Sequence, residues 1–259
     1  MIQIQKIQIP ELPTKKPRRL YVYLPHDYAS SDRHYPVLYM FDGHNVFYDS
    51  HATYGKSWGM KEYLTRTRLP LIVAAIECNH EGERRMNEYA PWDIVYRKRT
   101  LFEGVGKVTM DWTSGPLKEM IDRTYRTLPD RENTMIAGSS MGGLMSLYAV
   151  TEYNEIYSRA AALSPSLWAG GKQLRDLLSG ASLRPSTRIY MDLGTGEIRP
   201  GKRGMMSEMF RDAARLTASG ADVAARAVPG AVHNEAAWEK RIPVFMDYLY
   251  PFTPDNLDK

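Results

Sequence analysis

Thr134-Met135-Ile136-Ala137-Gly138-Ser139-Ser140-Met141-Gly142-Gly143 is the stretch whose reading decides the fold. Its first four residues are short, apolar and bounded by a turn residue, and read as a buried strand. Leu144-Met145-Ser146-Leu147-Tyr148-Ala149-Val150 follows as an apolar helix with glycine only at its start. A strand that turns at once into a helix holds the residue at the turn in a strained conformation with its side chain exposed. Gly138 and Gly142 lie two residues to either side of Ser140, where a side chain would block the close approach of strand and helix. Ser139 has no such symmetrical flanking. Ser140 is therefore the candidate nucleophile, seated on a nucleophile elbow.

The rest of the chain supplies a sheet for that elbow. Val37-Leu38-Tyr39-Met40-Phe41, Leu71-Ile72-Val73-Ala74-Ala75, and the runs at 159–163, 188–193 and 224–228 are short and apolar or rich in β-formers. Helical patterns separate most of them, which predicts an α/β fold with a mostly parallel central sheet and helices on both faces. Ile2, Ile4, Ile7 and Ile9 alternate with polar residues but slip by one beat, which predicts an edge strand carrying a bulge. Leu20-Tyr21-Val22-Tyr23-Leu24 should pair with it as a half-exposed antiparallel edge. Helical faces are legible at Leu117, Met120, Ile121 and Tyr125, at Met206, Met209, Phe210, Ala213 and Leu216, and at Trp238, Ile242, Phe245 and Leu249, with a kink expected at Pro243. The segment at about 79–113 has no clear period and carries Tyr89, Trp92, Tyr96, Phe102 and Trp112. An aperiodic stretch of that length predicts a lid or pocket wall inserted into a single domain spanning 1–259.

Composition narrows the function classes. A chain of 259 residues, 43% of them hydrophobic, can bury one full core. Its single cysteine, Cys78, excludes an intrachain disulfide framework and fits a reducing compartment. The N-terminus has no apolar signal core, and no apolar run approaches the ~18 residues of a membrane helix. The expected location is cytoplasmic, without a membrane partner. Net charge is +4, and the basic run Arg97-Lys98-Arg99 lies beside Asp93 and Glu103, as on a solvated surface. No nucleic-acid partner is expected. H-E-x-x-H, paired-cysteine, Walker and EF-hand patterns are all missing, so neither metal nor cofactor is expected.

A serine hydroxyl needs a base. Of six histidines, only His233 follows the elbow, and the order serine, acid, histidine of α/β-hydrolases selects it. The acid must lie between the two, at the carboxyl end of a strand. Arg188-Ile189-Tyr190-Met191-Asp192-Leu193 is that strand, and Glu197 stands in the loop after it. Glu197 is favoured over Asp192, which sits inside the strand; Glu235 is a third option. The backbone N–H of Met141, at the positive end of its helix, is one expected oxyanion donor. The second is expected from His44 or Asn45, where Gly43 lets the backbone turn inward.

These residues, with Asn87-Glu88-Tyr89-Ala90-Pro91-Trp92, Leu163-Ser164-Pro165-Ser166, Gly194-Thr195-Gly196-Glu197 and His233-Asn234-Glu235 followed by Trp238, carry a resemblance. The chain is similar to the putative-esterase family of α/β-hydrolases, which includes esterase D, feruloyl and acetylxylan esterases, and enterobactin-type siderophore esterases. The resemblance implies Ser140 as nucleophile, His233 as base and Glu197 as acid. It also implies a substrate site with contributions from Ser164 and from Tyr89 and Trp92 of the 87–92 segment; Gly43 and Trp168 are further candidates for that site. Two departures stand out. Many relatives have aspartate where this chain has Glu197, and His-Gly where it has Asp42-Gly43. The expectation is a serine carboxylesterase that hydrolyses a small-molecule ester through an acyl-enzyme on Ser140. Alternatives are a siderophore trilactone esterase or acyltransferase of the same fold, or a binding protein whose triad has decayed.

Overall fold

A computed structural model describes residues 1–198 and 204–251. Eight strands form one sheet: β1 (Ile2–Ile7), β2 (Arg18–Tyr23), β3 (Val37–Met40), β4 (Ile72–Ile76), β7 (Thr134–Ser139), β8 (Arg159–Leu163), β9 (Arg188–Gly194) and β10 (Asp222–Val228). Their spatial order is β1-β2-β4-β3-β7-β8-β9-β10, while β5 (Ile94–Tyr96) and β6 (Arg99–Phe102) form a separate hairpin. From β4 to β10 all pairings are parallel; β1 and β2 pair antiparallel with each other, and β2 with β4. This is the α/β-hydrolase fold.

The strand sequences explain why both faces are covered. Leu20 and Val22 enter one core and Tyr21 and Tyr23 the other. Val37 and Tyr39 oppose Leu38 and Met40 in the same way, as does Ile136 against Met135 and Ala137. A strand that buries alternate residues in two cores must read as a continuous apolar run. Helices α1 (Met60–Thr67), α8 (Glu235–Glu239) and α9 (Ile242–Leu249) supply one core; α3 (Gly106–Trp112), α4 (Lys118–Thr124), α5 (Met141–Glu152), α6 (Leu167–Gly180) and α7 (Gly204–Ala218) supply the other. Helix α5 is buried at every residue from Met141 to Val150, which is why its sequence is apolar all round.

Three expectations, on β1, β2 and Pro243, need correction. β1 carries no bulge, because its register with β2 runs unbroken from Ile2 opposite Tyr23 to Ile7 opposite Arg18. β2 is not half-exposed, since β4 pairs on its other side and both its faces are packed. The Leu117 face belongs to α4, which α3 joins through a π-turn, Thr113–Leu117, whose wider ring accommodates Pro116. Pro243 does not kink a helix, because it occupies the first turn of α9, where its missing N–H costs nothing. In the aperiodic segment, α2 (Arg84–Glu88) and the β5–β6 hairpin form short elements. A buried Arg18–Glu88 ion pair, with N···O distances of 2.6 and 2.5 Å, fastens α2 to the sheet. No helix among the described residues is long and apolar enough to cross a membrane.

Candidate active site

β7 ends at Ser139 and α5 begins at Met141, leaving Ser140 alone at the turn with φ 57° and ψ −120°. That positive φ is strained for a residue with a Cβ and is held by the packing around it. A Cβ at Gly138 would lie 2.6 Å from the Gly142 backbone, so glycine is needed for strand and helix to approach. The Ser140 hydroxyl faces a pocket of about 480 Å³ that is also lined by His44, Asn45, Arg85, His233 and Trp238. It bonds Ser166 Oγ at 3.3 Å rather than the imidazole. Such contacts commonly tighten only when substrate is bound.

His233 lies in the loop after β10, one residue before the α8 cap Asn234. Its Nδ1 is 2.7 Å from Glu197 Oε2, and its ring stands edge-on to Trp238 at 5.0 Å. Glu197 closes a short turn after β9, with its side chain only 3% exposed. Its Oε1 accepts from Ser164 Oγ at 2.7 Å and from the Gly194 amide at 2.9 Å. Burial alone would raise this carboxyl, but the bonds from His233, Ser164 and Gly194 outweigh it and hold Glu197 below the usual carboxylate range. An ionised acid on Nδ1 leaves Nε2 as the basic nitrogen.

The other two carboxylates are engaged elsewhere. Asp192 is fully buried and bonds Arg241 at 2.7 Å and the Tyr190 hydroxyl at 2.9 Å. Glu235 accepts from Asn45 Nδ2 at 3.1 Å, and burial raises its pKa. Arg241, buried at 3% exposure, also donates to Ser164 Oγ at 3.0 Å, as does Trp238 Nε1 at 3.1 Å. Sequence reading missed Arg241, because nothing in Glu239-Lys240-Arg241 marks a buried arginine.

On the opposite wall, Asp42 takes a left-handed conformation, φ 57°, and a Cβ on Gly43 would sit 2.4 Å from the Ala75 carbonyl oxygen. Only glycine lets this turn settle onto the end of β4. The Asn45 amide donates to the Asp42 carbonyl at 2.8 Å, so it is not free to serve as an oxyanion donor. The His44 amide, inside the same short turn, has no carbonyl to pair with there. Arg85 grips Asp42 with two 2.7 Å bonds and overrides the effect of burial, so Asp42 stays below the usual carboxylate range. Burial lowers the His44 pKa to about 4, so its ring is neutral near pH 7. The Asp42–Arg85 pair was also missed; its one signal was aspartate before Gly43.

Ser140, His233, His44 and Asn45 thus meet at one pocket, with Glu197 bonded behind His233 and Met141 opening α5. None of the five expected substrate residues lines it, Gly43 being packed against the end of β4. Tyr89 is buried, with its hydroxyl accepting the Asp42 amide N–H at 3.1 Å, and Ser164 is buried behind Glu197. Trp92 packs against Tyr148 and bonds the Ala169 carbonyl, and Trp168 stands exposed at the start of α6. Of the aperiodic segment, the part from Asn79 to Arg85 reaches the pocket, while its aromatics Tyr89 and Trp112 pack into the core.

The protein family described as "Putative esterase" matches residues 13–248. An uncharacterized protein of Bacillus subtilis, YbbA, is 24% identical over 244 residues, 90% of this chain and 92% of that protein. Among solved structures, an IroE-like serine hydrolase from Shewanella oneidensis superposes with a TM-score of 0.72 at 19% identity, over 95% of this chain and 79% of that one. The siderophore hydrolase EstA from Aspergillus nidulans gives 0.71 at 18% identity, over 94% and 93%.

Proposed function

Because this chain belongs to the putative esterase family, and so is a hydrolase acting on esters, we propose that it is a serine carboxylesterase working through an acyl-enzyme on Ser140. One observation carries the reading. Ser140, held at the strained turn, opens into the same pocket as His233, whose remote nitrogen is bonded to a buried carboxylate.

His233 Nε2 takes the Ser140 proton as Oγ attacks the ester carbonyl. Glu197 fixes the imidazole tautomer and stabilises the imidazolium that forms. The Met141 amide, at the start of α5, and the His44 amide receive the oxyanion; each such donor contributes about 3–4 kcal/mol in the transition state. The imidazolium then protonates the leaving alkoxide. Water, deprotonated by the same histidine, attacks the acyl-enzyme and releases the acid and free Ser140. Ser166, within 3.3 Å of the nucleophile, positions its hydroxyl in the resting state. Trp238, Ser164 and Arg241 act one step removed, by fixing Glu197.

Turnover of p-nitrophenyl acetate by the wild type and by Ser140→Ala tests the reading. The expected result is an acyl-enzyme burst in the wild type and loss of at least ~10⁴-fold in kcat for the variant. Wild-type protein without a burst, and with a Ser140→Ala rate within tenfold of its own, would overturn it.

A further inference from the structure

Three ligating side chains that the catalytic cycle leaves unused meet in the wall of the same pocket. His44 lies just after β3, and Cys78 and His80 just after its parallel neighbour β4, so the topology brings two loop starts together. One donor atom from each side chain lies within 4.8 Å of the other two. The two rings face edge to plane, with centroids 4.3 Å apart and planes at 80°.

Each imidazole already has one nitrogen held. His44 Nε2 meets Thr53 Oγ1 at 3.0 Å, and His80 Nε2 meets Glu77 Oε1 at 3.0 Å. A hydroxyl or carboxylate on the far nitrogen is how proteins orient an imidazole ligand. Both Nδ1 atoms remain, and His44 Nδ1 is buried with no hydrogen-bond partner. A buried polar atom without a protein partner is met by a water or an ion, and here two further ligating side chains stand beside it. The sequence patterns sought for metals missed this set, because its members come from two loops more than thirty residues apart in the chain.

We infer that His44, Cys78 and His80 form a three-ligand site for a divalent cation of borderline softness, Zn²⁺, with its fourth position open to the pocket that holds Ser140. Two imidazoles and one thiolate are zinc donors, and a tetrahedral ion needs them about 3.3–3.8 Å apart. Closing from 4.8 Å falls to His80, whose side chain is 48% exposed, while His44 and Cys78 are buried in place. On binding, the Cys78 thiol gives up its hydrogen bond to the Asp42 carboxylate and its proton passes to solvent as the sulfur–metal bond forms, while the two rings bind neutral. Asp42, next to Cys78, keeps both of its bonds to Arg85.

Cobalt substitution tests this directly. Cys78 is the only cysteine in the chain, so any thiolate-to-cobalt charge-transfer band reports that residue alone. Titrating the full chain with Co²⁺ in a thiol-free reductant is expected to raise such a band, saturating at one ion per chain and displaced by Zn²⁺. Cys78→Ser should abolish it; His44→Asn and His80→Asn should each weaken cobalt binding at least tenfold, with circular dichroism confirming the fold. Ser140→Ala should leave the band intact, which separates this site from the ester chemistry. The proposal is overturned by a wild-type titration without the band, or by a band that neither His44→Asn nor His80→Asn weakens. His80→Asn alters an exposed side chain, so it decides the matter even where a buried variant fails to fold.

Discussion

The two walls of the Ser140 pocket satisfy their buried polar groups differently. On the His233 side, donors converge on one carboxylate: the imidazole, the Ser164 hydroxyl and the Gly194 amide all reach Glu197. Behind them Arg241 and Trp238 hold Ser164. On the opposite side an ion pair, Asp42–Arg85, stands beside His44, whose Nδ1 has no partner. The first wall is preorganised as it stands, as general-base catalysis requires. The second keeps ligating atoms in reserve. Chemistry at Ser140 should therefore fail steeply when the first wall is cut, whereas the second wall should respond to added metal.

The comparison breaks most sharply at the base. His233→Ala should lower kcat by about 10⁴–10⁶-fold on a p-nitrophenyl ester with little change in KM, measured by initial rates. Next comes the acid. Glu197→Gln should cost about 10³–10⁴-fold in kcat, because an amide can hold the ring in the wrong tautomer. Asp192→Asn, five residues earlier, should cost less than about tenfold in kcat. It should instead lose about 3 kcal/mol in urea unfolding, since buried Arg241 would lose its 2.7 Å carboxylate partner and keep only Glu197, at 3.6 Å. Equal kcat losses in these two variants would dissolve the distinction between the carboxylates.

The smallest effect is on pH-dependent stability. Glu197 has a lowered pKa in the folded state, so its contribution is present above the unfolded carboxylate value, about 4.3. It is lost as pH falls through the folded value. The stability gap between wild type and Glu197→Gln should thus be constant near neutrality and close on acidification, as read by urea midpoints across that range. A gap that widens towards acid would reverse the sign.

How much of this was legible depends on where each feature is encoded. The elbow was readable because strand, glycines, serine and helix are contiguous, each residue constrained by its immediate neighbours. The buried strands were readable because packing on both faces demands unbroken apolar runs. β2 was misread as half-exposed because alternation between tyrosines and aliphatics resembles an edge, although Tyr21 and Tyr23 enter a second core. The pocket walls were hardest. The segment at about 79–113 reads as a lid or pocket wall, yet its Tyr89 and Trp112 pack inward, and sequence does not show which way a loop aromatic turns. Arg241, Arg85 and the meeting of His44 with Cys78 and His80 are long-range contacts that no local pattern announces.

The central claim is that Ser140 is the nucleophile. A fluorophosphonate phosphorylates an activated serine, so intact-mass spectrometry after labelling, with peptide mapping, tests it most directly. The wild type should gain one adduct, mapped to Ser140, and Ser140→Ala should gain none. An adduct on Ser140→Ala at the wild-type rate, or one mapped to another residue, would contradict it.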